Sequence, residues 1–202
     1  MEQNIQIIEK PDWVSWDDIH DVLWNAHKEN RQKGINMRLP TMTGEELRKF
    51  IEGRGKLFVA MDGEKVVGTL GFVVKEGNKW YNRGRYCYSC LGAVLPENSG
   101  KGVIRALADK VREAELEIGV DVLISDTNEK NAKIQKILNR REWVLVGYAA
   151  RSDHYGKIYA KWLNKRPYPL WYIKLRALQS KLYVKTRYKM VPGKGKVKRF
   201  GI

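Results

Sequence analysis

The chain has 202 residues and carries 38 Lys/Arg against 23 Asp/Glu, a formal net charge of +15. That length accommodates one domain with an extension and buries a sizeable core. No apolar run approaches the ~20 residues of a membrane span, nothing resembles a signal peptide, and two cysteines do not make a disulfide scaffold, so a cytoplasmic protein is expected.

Ile5, Ile7 and Ile8 predict a first strand. Ser15 with Asp18 forms a loose capping pair opening a helix whose apolar face includes Ile19, Val22, Leu23 and Ala26, and Gly34 ends it. Thr43 and Glu46 cap a second, shorter helix through Leu47, Phe50 and Ile51. Residues 57–60, the turn Asp62-Gly63 and residues 66–74 read as a hairpin. A polar loop over 76–85 leads to a strand at 86–94. Cys87 and Cys90, three apart on that strand, point to opposite faces, which predicts buried structural thiols rather than a zinc knuckle or redox pair.

The apolar run closes at Pro96. Ser99, Gly100, Lys101 and Gly102 form a short loop, and Ile104, Leu107, Ala108, Val111, Ala114 and Ile118 then recur at helical spacing. A glycine-bearing turn that opens a helix presents unpaired N–H groups at the positive end of the helix dipole, which suits a phosphate. A tight strand-to-helix turn with nothing bound is the other reading. A Walker A loop is excluded because Leu95 and Gly102 stand where it needs Gly and Ser/Thr. A dinucleotide fingerprint is excluded because Arg105 takes the place of its third glycine.

A short buried strand at 120–125, a turn at 126–131, a helix from about 129 to 140 and a strand at 143–148 follow. Beyond residue 163 the composition changes. Pro167 and Pro169 punctuate a break, and residues 164–202 hold twelve of the Lys/Arg and no Asp/Glu, leaving 26 basic against 23 acidic before them. Leu170, Trp171, Leu175, Leu178, Leu182 and Tyr183 predict a helix over 170–185 followed by a flexible basic end. These apolar residues are expected to pack on the rest of the chain or on a second copy, because an unmasked stripe promotes aggregation.

From about residue 5 to 163, and most specifically over 91–143, this chain resembles the GNAT superfamily of N-acetyltransferases. Val94-Leu95-Pro96 matches the family's V-x-P, and Gly102 falls on the first glycine of its Q/R-x-x-G-x-G/A loop. Ser99 replaces the usual Gln/Arg and Ile104 the final Gly/Ala. Asn131 matches the asparagine of the second patch, Trp143 takes a phenylalanine place, Glu142 stands where Gly is usual, and Leu138 stands where many members carry the tyrosine that reprotonates the CoA thiolate. The resemblance implies an α/β (mixed α+β) fold: a central mixed, mostly antiparallel sheet flanked by helices on both faces. The domain would span 1–163, with 164–202 as a basic, aromatic-rich extension.

The resemblance further implies acetyl-CoA as acyl donor. Gly92, Ala93 and Val94 would meet the pantetheine and thioester; Ser99, Gly100, Lys101, Gly102, Val103, Ile104 and Arg105 would hold the pyrophosphate, mainly through backbone amides. Asn131 would contact the cofactor or simply stabilise the helix start. Asp126 occupies the position that serves as general base in some members; the alternative is a strand-end cap of the next helix. With leucine at 138, Tyr148 and Tyr155 are the candidate acids, although both also read as half-buried sheet residues. His27 lies on a helix that borders the acceptor site in this family, while the three histidines show no metal-ligand spacing. The function implied is N-acetylation of a primary amine, small-molecule or sugar-linked, by a monomer or homodimer. The alternative is a degenerate domain whose basic tail binds nucleic acid or an anionic membrane, peripheral to the inner surface.

Overall fold

A computed structural model describes residues 5–35, 37–151, 154–164, 166–191 and 196–199. β1 (Ile5–Glu9) pairs antiparallel with β2 (Gly55–Asp62), which turns through Gly63 into β3 (Lys65–Gly77). β4 (Gly84–Val94), β5 (Val122–Asn128), β6 (Val144–Ala150) and β7 (Tyr155–Trp162) complete a seven-stranded sheet of order β1-β2-β3-β4-β5-β7-β6. Every pairing is antiparallel except β4 with β5. The hairpin strands run longer than expected, so the 76–85 loop shrinks to 78–83.

α1 (Trp16–Ala26) begins with a reciprocal capping box between Ser15 and Asp18, and α3 (Gly44–Ile51) with one between Thr43 and Glu46. Each box satisfies two of the donors that a helix start leaves open. Gly44 lets α3 meet α1 closely, since a Cβ there would lie 2.9 Å from the Trp16 carbonyl carbon. The helix expected to run to Gly34 is broken. It stops at His27 and resumes as the short α2 (Lys28–Gln32), because buried His27 departs from helical geometry at φ −100° and ψ 9°.

Helices cover both faces of the sheet. Tyr88 and Ser89 are consecutive on β4 and so face opposite ways. Tyr88 meets the Lys75 ammonium, which also lies over Phe50 of α3, whereas Ser89 Oγ bonds Glu115 on α4 (Val103–Glu117). Val103, Leu107 and Val111 bury the apolar face of α4 in the main core. Cys87 and Cys90 are both free and buried, with unbroken register between them, and burial pushes each thiol up to about 12.

α5 (Ala132–Arg140) starts three residues later than expected, because β5 continues through Asp126 to Asn128. α6 (Leu170–Arg187) lies on β6 through Ile173, Ala177 and Val184. The other apolar side chains of this helix do not pack on the rest of the chain: Leu170, Trp171, Leu175, Leu178, Leu182 and Tyr183 are exposed. The periodicity is helical, but a second stripe, not the anticipated one, makes the contact. After α6, β8 (Tyr188–Val191) pairs with β9 (Lys196–Arg199); the rest of the basic end that was expected to be flexible, residues 192–195 and 200–202, lies outside the described residues. Among the described residues, no helix is long and apolar enough to cross a membrane.

Candidate active site

β4 and β5 pair only at Cys87 with Leu123 and Tyr88 with Ile124, and then separate. Separation follows from a bulge in β4, where the register against β3 slips between Thr69 and Gly71. Leu91 sits in the bulge at φ 55°, a conformation that costs an L-residue roughly 1–2 kcal/mol. The buried Thr69 hydroxyl fastens it by donating to the Leu91 carbonyl at 2.6 Å. Backbone groups on the diverging edges are thereby released from the ladder and face a cleft of about 1080 Å³.

One arm of this cleft is lined by Lys75, Tyr81, Tyr86, Tyr88, Asp126 and Arg151. The Tyr88 hydroxyl donates to Asp126 Oδ1, and Arg151 Nη2 donates to Asp126 Oδ2. Burial, and then the Asp126 carboxylate, push the Tyr88 hydroxyl well above the ordinary tyrosine range, so it remains a proton donor at neutral pH. Burial opposes the Arg151 charge, but Asp126 offsets it and the guanidinium is held protonated. His27 also lines the cleft; burial holds its imidazole below the ordinary value, and its Nδ1 lies 3.2 Å from Asn30 Nδ2.

The other arm runs between α4 and α5. Gly100 and Gly102 take φ 83° and 82°, and Gly102 caps α4 without a side-chain hydrogen bond; the Arg105 N–H turns back to the Gly102 carbonyl, which leaves the Val103 and Ile104 N–H groups at the positive helix end. Two side-chain atoms lining the cleft, Arg112 Nη1 and Thr127 Oγ1, are buried with no hydrogen-bond partner among the described residues. Unpartnered buried polar atoms are costly, so this arm is built for a ligand that carries its own polar groups.

The profile of the acetyltransferase (GNAT) family matches residues 16–143. The chain belongs to the GNAT acetyltransferase family. Solved structures agree on the fold. A GNAT-family acetyltransferase from Streptococcus agalactiae is 19% identical at a TM-score of 0.64, covering 81% of this chain and 98% of its own. A GCN5-related N-acetyltransferase from Kribbella flavida is 18% identical at 0.61, covering 81% and 100%. The ribosomal-protein-S18-alanine N-acetyltransferase from Escherichia coli is 13% identical at 0.59, covering 80% and 96%. No curated protein matches the chain by sequence.

Against the expectations for a GNAT site, the cleft brings together Gly92, Ile104 and Asp126. Val94, Ser99, Gly100, Lys101, Gly102, Val103 and Arg105 flank it on the loop and first turn of α4, and Ala93 is buried beside Thr69. Asp126 does not cap α5, since it lies within β5 and bonds Tyr88 and Arg151. Asn131 is the cap: its Oδ1 accepts from the Ile134 N–H at 3.3 Å, and the side chain is buried. Tyr148 and Tyr155 fall outside the cleft. Tyr148 packs by α6, where its N–H donates to Ser180 Oγ, and the Tyr155 hydroxyl donates to the Tyr188 carbonyl. Leu138 is a buried residue of α5. Glu142 takes φ 64°, which explains why glycine is usual at its place in GNAT chains.

Tyr88, Arg151 and Glu115 are among the cleft residues that sequence reasoning missed, with Tyr81, Tyr86, Arg112 and Thr127. The period-2 recurrence of Tyr86 and Tyr88 on the strand before the loop was the available signal for the first. Arg151 and Glu115 stand alone in sequence and carried none.

Glu115 points from α4 toward Ser89, and burial raises its carboxyl from 4.5 to about 7. The folded chain therefore binds this proton more tightly than the unfolded chain between those values. Stability is highest below about 4.5 as far as this group is concerned, and falls as pH rises through about 7, by about 3 kcal/mol in all. Thermal melts across pH 5–8 should show the fall, and Glu115→Gln should flatten it. An unchanged slope in that variant would rule out Glu115 as its source.

Proposed function

We propose that this chain transfers an acetyl group from acetyl-CoA to a primary amine held in the arm of Tyr81, Tyr86 and Asp126. The network of Tyr88, Asp126 and Arg151 beside the strand splay carries the reading, because it places a carboxylate acceptor and a retained hydroxyl proton together at one end of the cleft.

The cofactor arm suits an elongated polar ligand on the observations above. Gly100 and Gly102 have no Cβ to obstruct the backbone, the first-turn amides of α4 would hold the pyrophosphate, and Arg112 Nη1 and Thr127 Oγ1 would meet the amide-bearing pantetheine. When bound, acetyl-CoA supplies the acyl group as a thioester. Asp126 removes a proton from the incoming ammonium, so that nitrogen attacks as a free amine. Tyr88 Oη supplies a proton to the departing thiolate, the task for which Leu138 has no group; the second proton, lost from the acylated nitrogen as the amide forms, restores the Tyr88 hydroxyl, and the Asp126 proton passes to solvent. Arg151 fixes the carboxylate orientation and compensates its charge.

Tyr81 and Tyr86 offer ring faces that suit the apolar face of a sugar, which favours a sugar-linked amine over a compact aliphatic one. The test pairs two measurements on the full chain. Acetyl-CoA at about a hundred times its Kd should add about 2.7 kcal/mol of stability, and free thiol should appear faster with amino sugars than with alkylamines. No stabilisation by acetyl-CoA would reject the cofactor, whereas stabilisation with equal rates would reject the sugar preference.

A further inference from the structure

α6 is apolar on two opposite faces. At ~100° per residue, Ile173, Ala177 and Val184 share the side packed on β6, while Trp171, Leu175, Leu178 and Leu182 align within an arc of about 60° on the far side. These four are 67%, 46%, 52% and 58% exposed, so the outer stripe is continuous and uncovered. Lys174 and Lys181 border it along one flank. Lys185 lies on the same flank but is paired with Glu129 at 3.0 Å.

We propose that this stripe docks α6 flat on an anionic lipid surface. The apolar side chains enter the headgroup boundary, Trp171 occupies the interfacial level, and Lys174 and Lys181 meet lipid phosphates. Charge selects this occupant. Residues 164–202 contain twelve Lys/Arg and no Asp/Glu, and Lys174 and Lys181 on the flank of the stripe put part of that charge where an anionic plane would meet it. In a two-fold pairing with a second copy, the same stripe faces itself and the same lysines face each other with no carboxylate from this segment between them. A nucleic acid would satisfy the lysines but leave three leucines against phosphates.

The placement also concerns the cleft. Trp80 packs edge-on against Tyr168 and Tyr172 of this region, and the next residue, Tyr81, lines the amine arm. Trp80 thus links α6 to the strand-connecting loop that helps to line the cleft. The docking itself does not depend on the acetyl-transfer reading.

Vesicle co-sedimentation of the full chain tests it without any acyl donor. The chain should sediment with phosphatidylcholine vesicles containing phosphatidylglycerol and remain largely in solution with phosphatidylcholine alone. Leu178→Ser with Leu182→Ser should weaken partitioning by at least about ten-fold. Lys174→Gln and Lys181→Gln should each weaken it about five-fold. Thermal melts of the variants verify folding, which substitutions at exposed positions leave intact. Equal sedimentation with both vesicle types, or with neither, overturns the proposal. So does vesicle binding that survives the serine pair, retention on RNA in place of vesicles, or a dimer in solution that the serine pair dissociates.

Discussion

Gly102→Glu is expected to abolish acetyl-CoA binding while leaving the domain folded. Gly102 caps α4 in the left-handed region at φ 82°, and a Cβ built there meets nothing within 4 Å. The fold therefore bears only the conformational cost of an L-residue, roughly 1–2 kcal/mol, against the ~5–15 kcal/mol typical of a domain. The carboxylate, however, would occupy the helix end proposed to hold the pyrophosphate and would repel it. Calorimetric titration with acetyl-CoA, beside circular dichroism of the free protein, reads both quantities. Gly102→Asn separates backbone from charge, since asparagine tolerates this region and adds no charge; it should retain measurable binding. Normal affinity in the glutamate variant would place the pyrophosphate elsewhere.

The second large effect concerns proton transfer. Asp126→Asn keeps one side-chain oxygen, which can accept from Arg151 but leaves an NH2 group where the second carboxylate oxygen accepts from Tyr88, and it removes the basic carboxylate. Turnover should fall about 10²-fold, as general-base loss commonly gives, with acetyl-CoA affinity unchanged. Tyr88→Phe should lower kcat by a similar factor and leave the amine KM nearly as it was, because it deletes the donated proton rather than a binding contact. If both variants turn over normally, the three residues form a structural ion pair with a buried tyrosine, and the chemistry belongs to other groups in the cleft.

Glu115 shows how the scaffold and the site press on one another. It lines the cleft from α4 and approaches Ser89 on β4, the strand whose bulge opens the site. A carboxyl there reduces stability at and above neutral pH, yet it stands close to the unpartnered Arg112 donor. Its titration will therefore report on the condition of the cleft as well as on the fold.

Short-range chemistry made much of this molecule legible from residues alone. The Ser15–Asp18 and Thr43–Glu46 boxes, the Asp62-Gly63 hairpin and the helical spacing of Leu107 and Val111 each depend on neighbours within a few positions, and each stands in the structure. The proline-to-glycine loop and the Asn131 patch were enough to indicate the family, because their spacing encodes a local strand-to-helix geometry. Element ends were less legible: β5 runs through Asp126 because pairing with β7 extends it, and turn-forming residues cannot outweigh a full ladder partner.

What the tertiary structure alone decided is which distant residues meet. Tyr88, Asp126 and Arg151 are 38 and 25 positions apart, and only the order β4-β5-β7-β6 brings them to one carboxylate. The same order carries Tyr148 and Tyr155 away toward α6 and puts Tyr88 against the Asp126 carboxylate instead. Periodicity likewise established a helix at α6 but not its orientation, since both faces are apolar. The sheet accepted the face with Ile173, Ala177 and Val184, of which two are β-branched and one is small enough for close approach to β6. That choice left Trp171 and the leucines outward, a result no single-chain pattern could determine because burial is a property of what lies opposite.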